Sequence, residues 1–185
     1  KNVIDVAVEL GAPQILVTSG WAYLDEPAED AWARSVAMLR SVCDYADTRG
    51  IRVALEALQP SESVLVNTAQ DVVRILEAVD RPNLKACIDF GAMEVAGDTI
   101  DGYFEVLGEK IVHTHFVDVG GGTTHLAWGD GERDMRADLE ALMRHGYTGY
   151  VSAETCDGRY YQDPSKATTQ VIEMYRRVTA EMEAE

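Results

Sequence analysis

Four residues have the types and placement to do chemistry together: Glu56, Asp89, His115 and Glu154. Each stands at or near the end of a short apolar run, in Ala54-Leu55-Glu56, Cys87-Ile88-Asp89, His113-Thr114-His115 and Val151-Ser152-Ala153-Glu154. Three carboxylates and one imidazole make a hard, oxygen-rich donor set. Such a set suits Mn²⁺, Mg²⁺ or Co²⁺ better than structural zinc, which favours thiolates. A lone strand-end Asp or Glu is more often a helix cap or an ion-pair partner. Four ionisable groups buried at equivalent places would be very costly without a cation to neutralise them. The expectation is one divalent cation held by Glu56, Asp89, His115 and Glu154, Mn²⁺ first, with Mg²⁺, Co²⁺ or Zn²⁺ as alternatives.

These residues need elements to carry them. Val3, Val6, Ala7 and Leu10 recur at helical spacing before Gly11, and Gln14–Thr18 reads as a buried strand. A loop over 19–29 holds Trp21 and Tyr23. A helix then runs from about Asp30 to Gly50 with Trp32, Val36, Leu39 and Cys43 on one face. Strands are expected at 52–58, 85–90, 111–117 and 150–154. The helices between them start at Thr68, with Asp71 three residues on, near Ile100 and at Met135, and a last helix starts at Pro164. Residues 120–131 read as a Gly-rich loop.

Residues two apart on a strand share a face. One face collects Ala54 and Glu56, Cys87 and Asp89, His113 and His115, Ser152 and Glu154. The other collects Val53, Leu55, Ala86, Ile88, Val112, Thr114, Phe116, Val151 and Ala153. The apolar face should meet helices and the polar face should look inward. Five strands alternating with helices imply an α/β fold with a parallel sheet. No GxGxxG or GxxxxGK[ST] turn follows any strand, so a nucleotide-binding open sheet lacks its signature. Ionisable strand ends fit the C-terminal edge of a (β/α)₈ TIM barrel, where active sites lie. The expected fold is therefore a single partial barrel domain over 1–185, holding about the last five βα units. Closure needs about three units, on the order of 100 residues, before Lys1, or completion by a homo-oligomer.

The formal net charge of −16 is spread along the chain. It disfavours nucleic acid and anionic membranes as partners, and no apolar run of transmembrane length occurs. The N-terminus does not read as a signal peptide. Cys43, Cys87 and Cys156 are odd in number and widely spaced, which suggests reduced thiols and a cytoplasmic setting.

The strand-end motifs quoted above resemble the xylose isomerase-like TIM barrels, especially the branch of ketose 3-epimerases acting on tagatose and psicose. Glu62 downstream of Glu56, the turn Gly129-Asp130-Gly131, and Gly146-Tyr147-x-Gly149-Tyr150 before the last strand add to the resemblance. It implies a cation that chelates a sugar carbonyl and hydroxyl. Glu56 and Glu154 would double as ligands and acid/base pair for proton transfer through an enediolate. Asp89 and His115 would mainly hold the metal, and Glu62 would bind substrate. Two departures change the substrate contacts. Ala92 stands where these enzymes carry a histidine and Gly121 where they carry an arginine. Asp118 and His125 are candidates to substitute for them.

His113, Trp21 and Arg159 are further substrate-binding candidates. Their plainer readings are packing for His113, loop or core packing for Trp21 and a surface ion pair for Arg159. The expected partner is a small-molecule sugar or sugar derivative. Aldose–ketose isomerisation, keto-inositol dehydration and a non-catalytic sugar-binding role remain as alternatives. An endonuclease IV-like repair enzyme would need more histidine ligands than four His residues supply, and a basic face. A Schiff-base aldolase needs a lysine inside the barrel, whereas Lys85 and Lys110 stand at strand starts.

Overall fold

The structure, a computed structural model, describes residues 1–185. Helix α1 (Asn2–Glu9) leads into strand β1 (Gln14–Thr18), then α2 (Ala28–Asp47) and β2 (Arg52–Glu56). Helix α3 (Ala69–Val79) opens with the capping box that Thr68 and Asp71 predict. The Thr68 hydroxyl accepts from the Asp71 amide at 3.1 Å, and the Asp71 carboxylate accepts from the Thr68 amide at 3.2 Å. The chain continues through β3 (Leu84–Asp89), α4 (Phe90–Ala96), α5 (Ile100–Leu107), β4 (Ile111–His115), β5 (Asp118–Gly120), β6 (Thr123–Leu126), α6 (Met135–Arg144), β7 (Tyr150–Ser152) and α7 (Pro164–Glu183).

Five strands form one sheet in the order β1-β2-β3-β4-β7, every neighbour parallel. This is the half-barrel that the alternation of strand and helix predicts. Helices cover its outer face. Val53, Leu55, Ala86, Ile88 and Phe116 from that face join Val36 and Leu39 of α2, Ile75 and Val79 of α3, Tyr103 of α5 and Leu142 of α6 in one apolar core. The inner face is lined by small or polar residues. There Ala54 and Cys87 form a separate small cluster.

Val112 joins that inner cluster, not the outer face expected from strict alternation. The pairing of β3 with β4 shifts between Ala86 and Cys87, from Ala86↔Ile111 to Cys87↔His113. Val112 is thereby passed over, as the extra residue of a bulge. Strands end earlier than expected. β2 stops at Glu56, β3 at Asp89, β4 at His115 and β7 at Ser152. Three elements lie where none is expected: α4 begins directly after Asp89, and β5 and β6 form an antiparallel hairpin over 118–126 that runs into the Gly-rich stretch.

Leu55 has no exposed surface and packs between sheet and helices. Leu55→Ala is expected to lower the unfolding free energy by about 2–5 kcal/mol, through lost burial plus the cavity left behind. Urea unfolding measures this.

Candidate metal centre

All four strand-end residues meet at the C-terminal edge of the sheet. The backbone register explains how. Glu56 pairs with Cys87, Asp89 pairs with His115, and His115 pairs with Ser152. Their side chains therefore rise from adjacent strands at nearly one level. One ligand atom from each of Glu56, Asp89, His115 and Glu154 lies within 4.8 Å of every other. His115 Nδ1 is 2.6 Å from Glu56 Oε1, 2.9 Å from Glu154 Oε2 and 3.8 Å from Asp89 Oδ2.

The four are not equivalent. The side chains of Glu56, Asp89 and His115 are almost fully buried, whereas that of Glu154 is 39% exposed. Burial raises the Glu56 pKa, with its hydrogen bond to His115 opposing. Burial also penalises a charged His115 imidazole, but its hydrogen bonds to Glu154 and Glu56 outweigh that and lift its pKa to about 10. A proton on His115 thus stands in for positive charge among three carboxylates.

The donor set fits a divalent cation. Asp89 divides its two oxygens: Oδ1 accepts the Ala92 amide at 2.5 Å and caps α4, while Oδ2 is buried without a hydrogen-bond partner. A buried carboxylate oxygen left unpaired beside two other carboxylates is what a cation would satisfy. Cys87 lies close below, and its thiol, Glu56 and His115 form a second, overlapping group of donors. Burial pushes that thiol pKa well up.

The remaining candidates separate. His113 packs edge-on against His115 at 5.3 Å between centroids, and its Nδ1 is engaged by the Gln14 side-chain amide at 3.0 Å. Glu62 is exposed and accepts the Gln59 amide at 3.0 Å. Trp21 is exposed in the loop after β1. Arg159 is spent on Asp157 at 2.8 Å. Asp118 is not free to touch a substrate. It is buried and accepts backbone N–H groups from Val119, Gly129, Gly131 and Arg133 at 2.8–3.0 Å. It organises the loop after the hairpin instead. His125 is close to the centre, with Nε2 3.4 Å from Asp89 Oδ2 and 3.6 Å from Glu154 Oε2. Of the two expected departures, Ala92 is buried in the first turn of α4 and Gly121 sits in the hairpin turn with φ +58°.

A family model described as xylose isomerase-like TIM barrel matches residues 1–178. The chain belongs to the xylose isomerase-like TIM barrel family. Among curated relatives of this family, a fructoselysine 3-epimerase of Shigella flexneri is 33% identical over 184 residues, 99% of this chain and 66% of the relative. The chain thus spans slightly less than two thirds of that relative's length. A solved D-tagatose 3-epimerase-like protein superposes with TM-score 0.79 at 26% identity, covering 98% of this chain and 68% of its own. The IOLI protein, solved with a binding zinc atom, gives TM-score 0.79 at 23% identity, covering 97% and 67%.

Two expectations follow from this geometry. A cation and a proton compete for His115 Nδ1, and with a pKa near 10 the proton is held throughout the neutral range. Uptake of a divalent cation at neutral pH should release about one proton or more, with affinity weakening roughly tenfold per pH unit on acidification. Calorimetry in buffers of different ionisation enthalpy reads the release. Separately, Asp118→Ala strands four backbone donors and should cost about 2–4 kcal/mol of stability, measured by denaturant unfolding.

Proposed function

We propose that the protein epimerises or isomerises a sugar or sugar derivative, moving a proton on and off the carbon beside a carbonyl with the help of one divalent cation. The observation that carries this reading is the convergence of Glu56, Asp89, His115 and Glu154, with Asp89 Oδ2 buried inside it and without a hydrogen bond. Relatives named as fructoselysine 3-epimerase, D-psicose 3-epimerase and inosose isomerase support it.

All four residues would hold the cation, Mn²⁺ by preference for an oxygen-rich set. Once bound, the cation supplies Lewis-acid polarisation of the substrate carbonyl. The chain's own groups do the rest. Asp89 and His115 are fixed by burial, by the α4 cap and by their neighbours, so they hold position. Glu56 and Glu154 differ in depth and solvent access, which equips them as the two proton carriers. Glu56 takes or returns a proton from the buried side, and Glu154 from the side open to the mouth. Glu62, exposed on the loop after β2, would bind a hydroxyl of the substrate on exchanging its contact with the Gln59 amide. A ketose is the favoured substrate class, free or carrying an amino-acid substituent as in fructoselysine.

Incubating the Mn²⁺-loaded protein with fructoselysine, psicose and tagatose in D₂O tests this. Inversion beside the carbonyl with deuterium incorporation at that carbon is expected, and an aldose product would indicate isomerisation instead. A chelator should abolish turnover and Mn²⁺ restore it. Glu154→Gln should keep the fold and lower kcat by roughly 10²–10⁴-fold. Undiminished turnover in that variant would remove Glu154 from proton transfer.

A further inference from the structure

We propose that His125 is a substrate-binding residue, its Nε2 taking an oxygen of the molecule held over the Glu56–Asp89–His115–Glu154 cluster. The assignment rests on the reading of that cluster as a sugar-handling metal centre. It is carried by the way the hairpin delivers the imidazole.

β5 and β6 interrupt the run of βα units, turning at Gly121 and Gly122, both with positive φ. On the return strand His125 itself has φ +57°, a left-handed conformation that costs free energy for a residue with a Cβ. Several contacts hold it there. The Thr124 hydroxyl lies 2.9 Å from His125 Nδ1 and accepts the Gln59 side-chain amide at 3.1 Å. The hairpin is thereby tied to the loop after β2. Helix α4 carries Gly91 where the hairpin packs against it. A Cβ on Gly91 would meet Thr124 Cβ at 3.0 Å, Asp89 Oδ1 at 3.0 Å and His125 Cε1 at 3.4 Å.

One ring nitrogen is therefore occupied and the other is presented. Nε2 faces Asp89 Oδ2 at 3.4 Å and Glu154 Oε2 at 3.6 Å, too far for a good hydrogen bond to either. The side chain keeps 13% of its surface exposed. His125 also lies outside the four whose donor atoms gather within 4.8 Å, and its Nε2 stands within ion-pair reach of Asp89 and Glu154 without a short hydrogen bond to either. It holds a ring nitrogen beside the two carboxylate oxygens that face the cation position, where a substrate oxygen would arrive.

The test separates sugar binding from metal binding in His125→Ala, His125→Gln and Thr124→Val. Free Mn²⁺ is followed by electron paramagnetic resonance, and binding of psicose and fructoselysine to the Mn²⁺-loaded protein by calorimetry, with KM and kcat alongside. Mn²⁺ affinity should stay within about threefold of wild type, the scatter of a small context effect. Sugar affinity should fall roughly 5–30-fold in His125→Ala, the worth of one hydrogen bond. His125→Gln, which restores a donor, should recover part of it. Thr124→Val should shift sugar affinity the same way by less, and KM should rise more than kcat falls. Unchanged sugar affinity in His125→Ala, or a fall in Mn²⁺ affinity that matches the fall in sugar affinity, overturns the assignment alone. A wild-type protein that binds Mn²⁺ and neither sugar overturns the functional reading, and this assignment with it.

Discussion

Three carboxylates meet one imidazole nitrogen at the end of a parallel sheet, and the rest of the chain is arranged around the charge that this creates. Like charges a few ångström apart in a medium of low polarity repel strongly. The fold does not relieve that by separating them. It sets Glu56 Oε1 2.6 Å from His115 Nδ1 and Glu154 Oε2 2.9 Å from it, and leaves Asp89 Oδ2 buried without a partner. Positive charge must reside in the middle, as a proton on the imidazole or as a cation. The alternating faces of the strands keep these groups on the concave side. A one-residue slip would turn every ligand toward the helices, and the apolar residues of the other face resist that slip through the core they share with α2, α3 and α5.

The loops above the sheet follow from the same constraint. A crevice with four ionisable groups needs walls that do not add unpaired polar atoms. Asp118 meets this by gathering the Val119 amide of its own strand and three amides of the segment after the hairpin. Gly131 is required beside it, because a Cβ there would stand 2.4 Å from Asp118 Oδ1 and 2.7 Å from the Val119 carbonyl carbon. Trp128 anchors the same segment, fully buried, tilted against Phe116 with ring centroids 4.4 Å apart and donating its indole N–H to the Phe116 carbonyl at 3.0 Å. With that segment fixed, the hairpin can carry His125 over the centre.

Much of this was legible in the residues because the two-residue period of a strand and the 3.6-residue period of a helix leave different marks. The four strand ends, the order of elements and the Thr68–Asp71 box are local features, and local pattern suffices to find them. The strand boundaries were less legible. Glu56, Asp89 and His115 each terminate a strand, so the apolar residues that follow, such as Ala57 and Phe90, pack into the core without continuing the ladder. Helix α4 was hidden because its seven residues make fewer than two turns, too few to show a period, and start on a residue that reads as the end of a strand. The hairpin was hidden because glycines mark a turn without saying what flanks it. The inward position of Val112 depends on a register shift between two strands, and the nearness of His125 to Asp89 on a crossing of segments. Neither has a signature in the order of residues. Glu62, Trp21 and Arg159 show the opposite limit: suitable side chains near strand ends whose contacts, with the Gln59 amide for Glu62 and with Asp157 for Arg159, are set by the loops themselves.

Asp89 ends a strand, caps a helix and faces the cation position, all with one carboxylate. No residue of loop separates β3 from α4, so the two oxygens of Asp89 join the electrostatics of the crevice to the first turn of a helix. Any event that pulls electron density or position toward Oδ2 is felt at Oδ1, and so at the Ala92 amide it holds at 2.5 Å. The amide proton of Ala92 is thereby a built-in gauge of what occupies the centre. Opening of the first turn of α4, which exchange of that amide with solvent would follow, breaks a bond to the same carboxylate that faces the centre.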